Sequence, residues 1–379
     1  FRCAFIVSIF KKSLVLMEID TENQALIKVG ITIGDINGIG PEIILKALRD
    51  ARILKDFTPI IYGSEKVLSH YQALLEMDDF SIQICKNASQ ALENNVNVVN
   101  VWTEEVELSV GQGTEKGGLY AFKALEAATQ DISEGKIDVL VTAPFSKDGM
   151  IKAGFKFPGH TEYLADLSAV KEALMILVSP TLKVALVTSH IPIKEISKNL
   201  SKDLIIEKIK AFEQSLKKDF NLTKPKIAVF GLNPHAGENG KLGTEESETI
   251  QPAIQFCKAE GILAFGPFAA DGYFGSPARN QYDGVLAMYH DQGLAAFKAL
   301  SFDDGVNFTA GLPIVRTSPD HGTAFDIAGK NCASEQSFRS AIYMALDIFR
   351  TRKFQKLIHA NPLPFTPEDK SKKNSSRDE

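Results

Sequence analysis

Short, wholly apolar runs of strand length, each broken off by a polar turn, constrain this chain more than any other feature. Val285 to Tyr289 is such a run; it stops at His290 and Asp291, and Lys298 follows a short apolar stretch later. Lys183 to His190 reads KVALVTSH, and Lys226 to His235 reads KIAVFGLNPH. A strand buried on both faces shows no alternation, so runs of this kind belong inside a sheet covered on both sides. Between them lie helical periodicities: Ala121, Leu125, Ala128 and Ile132; Ile205, Ile209, Phe212 and Leu216; Phe338, Ile342, Ala345 and Phe349. Each set steps by four, three and four and so shares one helix face. Strands alternating with amphipathic helices predict an α/β fold. A parallel sheet would carry its ligand beyond the carboxyl ends of its strands.

Three of the seven histidines, His190, His235 and His290, finish predicted strands. A parallel sheet would bring them towards one rim, where neutral imidazoles suit a divalent transition metal with positions left open for substrate. Taken singly, each reads more readily as a loop residue or cap, and only the recurrence of the pattern favours the metal; their wide separations match no local ligand motif. Gly34 to Pro41, after a predicted strand at Ile27 to Ile33, is glycine-rich and opens a helix with Pro41 and Glu42 in its first turn. It is read either as a cradle for an anion or as a tight strand-to-helix turn. Ala173 to Val178 and Lys183 to Thr188, around Pro180, predict a hairpin. His160 and Thr161 open a helix after Pro158 and Gly159, and the turn-rich segment Gly305 to Lys330 carries Asn307, Arg316, Asp320 and His321. An arginine's planar fork suits a phosphate or carboxylate, and singly Arg316 reads as well as half of a structural ion pair. His70 and His359 read as surface residues.

A net charge of −5 supplies no basic field for nucleic acid and no basic helix for a membrane surface. No apolar stretch is long enough for a membrane helix. Four scattered cysteines, with no CxxC pair, indicate neither a disulfide framework nor a thiolate metal site and fit a reducing cytoplasm. The basic, acid-free segment before Met17 is expected to be upstream sequence, with a signal or transit peptide as the alternative. The polar stretch at the carboxyl end, 363–379, is expected to be a disordered tail.

The motifs GITIGDINGIGPEI, VTAPFSK, FPGHTEYLA, VTSHIP, GLNPHAGENG, YHDQG and PIVRTSPDHGTAFDIAGK, in this order, resemble the 4-hydroxythreonine-4-phosphate dehydrogenase family of the vitamin B6 pathway. The resemblance implies an α/β/α subunit of the isocitrate and isopropylmalate dehydrogenase type, with two interleaved subdomains, 26–157 plus 305–362 and 158–304, flanking a cleft. Residues 1–25 lie outside it. It implies oxidation of the C3 hydroxyl of 4-phosphooxy-L-threonine by NAD or NADP, then decarboxylation to 3-amino-2-oxopropyl phosphate. The missing GxGxxG is consistent, because that fold does not use it. One divalent metal (Zn, Mg or Co) is expected on His190, His235 and His290. The family forms homodimers with the active site at the interface, so one of these ligands should come from the partner. His160, Thr161, Lys298, Asn307 and Arg316 are expected to bind the phosphorylated substrate, Asp271 and Asp291 to move protons or orient a ligand, and Asp320 and His321 to bind the cofactor. A sister activity on 4-phospho-threonate or 4-phospho-erythronate, a metal-dependent phosphatase and a binding module are the alternatives. The sequence leaves open the metal and the choice between NAD and NADP.

Overall fold

A single twelve-stranded sheet orders the described residues, 25–171 and 173–360 of a computed structural model. The start at Met17, all but the last residue of the extension 1–25, and the tail 363–379 lie outside them. The strands are β1 (Ile27–Thr32), β2 (Phe57–Gly63), β3 (Gln83–Cys85), β4 (Asn97–Asn100), β5 (Val139–Thr142), β6 (Leu174–Val178), β7 (Lys183–Leu186), β8 (Lys226–Phe230), β9 (Leu263–Phe268), β10 (Gly284–Ala287), β11 (Val306–Ala310) and β12 (Arg316–Pro319). Their order is β3-β4-β2-β1-β5-β12-β11-β6-β7-β10-β8-β9. The helices of eight or more residues are α1 (Gly40–Leu48), α2 (Glu65–Leu74), α3 (Glu115–Ser133), α4 (His160–Leu167), α5 (Lys202–Lys218), α6 (Gln251–Ala259), α7 (His290–Leu300) and α8 (Gln336–Ile358).

The sheet is α/β as expected but not parallel throughout. From β3 to β12 every pairing is parallel, and so is every pairing from β7 to β9. At the centre, β12–β11, β11–β6 and β6–β7 are antiparallel, so the two parallel blocks run in opposite directions. The cause is local. The expected hairpin forms, with Ser179 N–H donating to the Leu182 carbonyl (2.8 Å), and a tight turn can join only antiparallel neighbours. The short Gly311-to-Val315 connection does the same for β11 and β12.

Period-two alternation then sorts the side chains of these strands. Ile176, Val178, Ala185, Val229, Leu286, Val306 and Phe308 fall in the larger core, on the face that receives Phe338, Ile342 and Ala345 of α8 and the Ile205, Ile209, Phe212 and Leu216 stripe of α5. Leu177, Val184, Leu186, Ala228, Phe230, Val285 and Ala287 point the other way, into a second cluster closed by Leu294 and Phe297 of α7. Ala121, Leu125, Ala128 and Ile132 of α3 are likewise buried, as their spacing requires.

Of the two readings of Gly34 to Pro41, the tight turn is the one observed. Gly34 has φ +72°, and a Cβ there would lie 2.3 Å from the Pro144 carbonyl oxygen. The turn's N–H groups are used within the chain: Asp35 donates to the Pro144 carbonyl (2.9 Å), Ile39 to that of Thr323 (3.0 Å) and Asn37 to Asp35 Oδ1 (3.0 Å).

Asp35 is fully buried, and its Oδ2 has no partner. Burial pushes its carboxyl up to about 6, against the opposing Asn37 N–H. In the unfolded chain the group loses its proton near 3.8. Stability is therefore lost as pH rises between these values and stays reduced above them. Asp35→Asn, which keeps the Oδ1 acceptor, is expected to stabilise the fold at pH 7.5 by about 1 to 3 kcal/mol. Urea unfolding should find this gain shrinking towards pH 4.5, and a gain independent of pH would contradict it.

Candidate active site

A cavity of about 340 Å³ lies on the face of the central strands opposite α8. Its floor follows from the alternation just described: Arg316 and Ser318 of β12, Asn307 of β11, Met175 and Leu177 of β6 and Leu186 of β7 all project to this side. Thr317, between Arg316 and Ser318, turns the other way and donates to the Ala341 carbonyl of α8 (2.8 Å). The site is thus built on the middle of a sheet face, where the two blocks meet, rather than along one rim of carboxyl ends.

Arg316 dominates the floor. It is 4% exposed, and all its hydrogen-bond partners are neutral. Thr142 Oγ1 accepts from Nε (3.2 Å) and Nη2 (2.6 Å), Thr309 Oγ1 from Nη1 (3.1 Å), and His160 Nδ1 from Nη2 (3.4 Å). Burial draws the guanidinium down to about 10, with Glu162 opposing, so it is charged at neutral pH. A buried cation with no carboxylate hydrogen-bonded to it is costly, and an incoming anion supplies the missing partner.

His160, also 4% exposed, opens α4 and stacks on Phe145 with ring centroids 3.8 Å apart. Burial first, then Arg316 and Lys147, hold its imidazole well below the ordinary range. The ring is therefore neutral. Since Nδ1 accepts from arginine, the proton sits on Nε2, which is buried without a partner.

The far wall is α7. His290, Leu294 and Lys298 recur every four residues, so one stripe of this helix faces the cavity. Gly293 lets it approach: a Cβ there would meet Val184 Cγ1 at 2.8 Å. Gln292 ties its first turn to two strand ends, accepting from Met288 N–H (2.7 Å) and donating to the Gly231 carbonyl (2.7 Å). The ring centroids of His290 and His190 are 5.9 Å apart. His290 Nδ1 is 2.7 Å from Asp291 Oδ1, which puts a proton on Nδ1 and frees Nε2 as a ligand atom. Partial burial, then Lys147, draws His190 below the usual imidazole range, so it too is neutral.

His235 does not join them. It begins a run of left-handed backbone, with φ 53° at His235, 50° at Ala236, 80° at Gly237, 42° at Glu238 and 58° at Asn239, outside the cavity lining. Glu246 anchors this loop, accepting from the N–H groups of Leu232 and Asn233 (2.7 Å each). Within one chain, among the described residues, no group of three or more His, Cys, Asp or Glu side chains is placed to hold a metal ion.

The remaining expected residues divide the same way. Thr161, Lys298, Asn307, Asp320 and His321 line the cavity. Lys298 pairs with Asp320 Oδ1 (3.4 Å), and burial raises the Asp320 carboxyl against that lysine. His321 Nδ1 lies 3.1 Å from the Gly322 carbonyl; its Nε2 and Asn307 Oδ1 are buried without partners. Asp271 and Asp291 are not part of the lining, and the Asp291 side chain is 78% exposed.

The family model described as pyridoxal phosphate biosynthetic protein PdxA matches residues 55–345. The chain belongs to the PdxA family. It is 51% identical over 338 residues to the 4-hydroxythreonine-4-phosphate dehydrogenase of Bacteroides thetaiotaomicron, covering 89% of this chain and 93% of that protein. It is 39% identical over 328 residues to an Oceanobacillus iheyensis protein named "Putative D-threonate 4-phosphate dehydrogenase", covering 86% and 98%. The crystal structure of 4-hydroxythreonine-4-phosphate dehydrogenase from Klebsiella pneumoniae superposes with a TM-score of 0.74 at 36% identity, covering 86% of this chain and 99% of that one. Membership makes the chain an oxidoreductase.

Against that membership, the sequence reading missed the residues that prepare the site. Thr142 and Thr309 hold Arg316, Phe145 supports His160, Lys147 and Glu162 set the local charge, and Gln292 and Glu246 pin two loops. One signal was available: VNFTA places polar Asn307 and Thr309 at alternate positions of a strand at the centre of a sheet, which marks a polar face.

An unpaired cation predicts anion binding by the free enzyme. Inorganic phosphate should raise the melting temperature, by mass action on the folded state. The rise should vanish in Arg316→Gln, and an equal rise in that variant would show that the anion binds elsewhere.

Proposed function

We propose that this PdxA-family chain oxidises the C3 hydroxyl of 4-phosphooxy-L-threonine with NAD or NADP, and that the 3-oxo product loses carbon dioxide to give 3-amino-2-oxopropyl phosphate. The observation that carries this reading is the buried Arg316 with only neutral partners, beside a His160 whose Nε2–H is free. Arg316, His160, Thr161, Lys298 and Asn307 would hold the phosphate and carboxylate and fix C3 against the nicotinamide, which removes the entropic part of the barrier. The buried His321 Nε2, with Asp320 beside it, offers an acceptor to the cofactor.

The donor set of His190 and His290, two neighbouring imidazoles, fits a divalent cation. The third ligand of this reading is His235 of a second copy in a homodimer. A cation held there supplies a Lewis acid that makes a bound hydroxyl more acidic and stabilises developing negative charge on oxygen. Asp291 keeps His290 in the ligand tautomer, a positioning role that its contact with Nδ1 favours over proton transfer. Asp271, outside the cavity lining, is left as a proton acceptor only if a second copy brings it to the substrate. The catalytic unit is read as two interleaved subdomains, 26–157 plus 305–362 and 158–304, whose junction is the central antiparallel strands. Free buried Cys85 and Cys257 are in keeping with a cytoplasmic enzyme. No helix among the described residues is long and apolar enough to cross a membrane.

A second reading, oxidation of 4-phospho-threonate, is favoured by the Oceanobacillus iheyensis relative. Following NADH or NADPH formation from each substrate with each nucleotide separates the two. Phosphate release with no reduced nucleotide would instead indicate a hydrolase.

Treatment with a chelator should abolish turnover, and added Zn, Mg or Co should restore it. His190→Ala and His290→Ala should each lower kcat by about a hundredfold or more, and Asp291→Asn should weaken metal affinity about tenfold. Full activity in either histidine variant would remove the metal role.

A further inference from the structure

Arg316 has five N–H groups to place, and the structure accounts for four. Nε and one Nη2 hydrogen go to Thr142 Oγ1, the other Nη2 hydrogen goes to His160 Nδ1, and one Nη1 hydrogen goes to Thr309 Oγ1. Only one Nη1 hydrogen is uncommitted. The guanidinium therefore cannot offer a free two-pronged fork, and the second donor available to an anion on this side is the Nε2–H of His160. That donor exists only because Arg316 holds Nδ1 as an acceptor. The plane of the guanidinium, and so the hydrogen that reaches His160, is set by Thr142, whose one oxygen spans Nε and Nη2. Thr142 and Thr309 are both buried, and neither brings a compensating charge.

We propose that Thr142 is a positioning residue for substrate binding: by accepting from Nε and Nη2 it fixes the Arg316 plane, which locks His160 as an Nε2–H donor facing the substrate anion. Thr309 assists from the Nη1 side. The neutrality of both partners matters as much as their geometry, because a carboxylate in either place would consume the charge that the substrate is to meet. This rests on the reading of Arg316 and His160 as substrate-binding groups.

The test is a comparison of Thr142→Val, Thr142→Ser, Thr309→Val and Arg316→Ala in the full chain, assayed with whichever of 4-phosphooxy-L-threonine and 4-phospho-threonate the wild type turns over. Hydrogen bonds to charged groups predict that Thr142→Val raises KM about tenfold while kcat moves much less, and that Thr142→Ser restores the wild-type KM. Nitrogen-15 NMR of the histidine rings should give His160 as the Nε2–H tautomer alone in the wild type and as a mixture in Thr142→Val. A role confined to packing would leave that spectrum unchanged. The inference is overturned if Thr142→Ser is as impaired as Thr142→Val, or if Thr142→Val keeps KM and tautomer while Arg316→Ala raises KM; the reading of Arg316 then stands. An unchanged KM in Arg316→Ala overturns both. If Thr142→Val does not fold, Thr309→Val carries the comparison, with a raised KM supporting the inference and a wild-type KM and His160 spectrum overturning it.

Discussion

Side chains on a pleated strand must alternate between faces, and in the central strands of this sheet that constraint produces both the core and the site. Val306 and Phe308 face α8, while on the other face Asn307 lines the cavity and Thr309 accepts from Arg316. Thr317 is fastened beneath the sheet as Arg316 and Ser318 line the floor above it. A residue slipped by one position in β12 would send Arg316 into the core and Thr317 into the cavity.

The opposed directions of the two parallel blocks explain where the site lies. An open parallel sheet concentrates its loops along one rim, and its ligand follows them. Here β11 and β6 reverse direction between the blocks, so loops from both approach the middle of one face. His160 arrives with α4, which follows β5 in the chain, and His190 and His290 arrive after β7 and from α7.

Electrostatically the cavity is unbalanced by design. Lys298 is matched by Asp320, whereas Arg316 is bound only by hydroxyls and a neutral ring. The same burial that makes this cation expensive also makes it effective, because attraction to an anion is weakly screened where water is excluded. Holding it with threonines rather than carboxylates leaves its charge available.

The apolar runs and helical stripes were legible in the sequence because they are local: each declares a buried strand or a helix face through its own spacing, and the hairpin around Pro180 through its turn. The glycines of Gly34 to Pro41 were ambiguous in sequence, since a cradle and a tight turn need the same residue; the Pro144 carbonyl beside Gly34 decided for the turn. Motif order pointed to the family and, through it, to His160; residue type pointed to Arg316 and the strand-end histidines. Tertiary structure alone brought His190 to His290 and left His235 outside the cavity, reversed the central strands, and surrounded Arg316 with Thr142, Thr309 and His160. Those outcomes depend on which distant segments pack together, and a single chain's spacing carries no record of that.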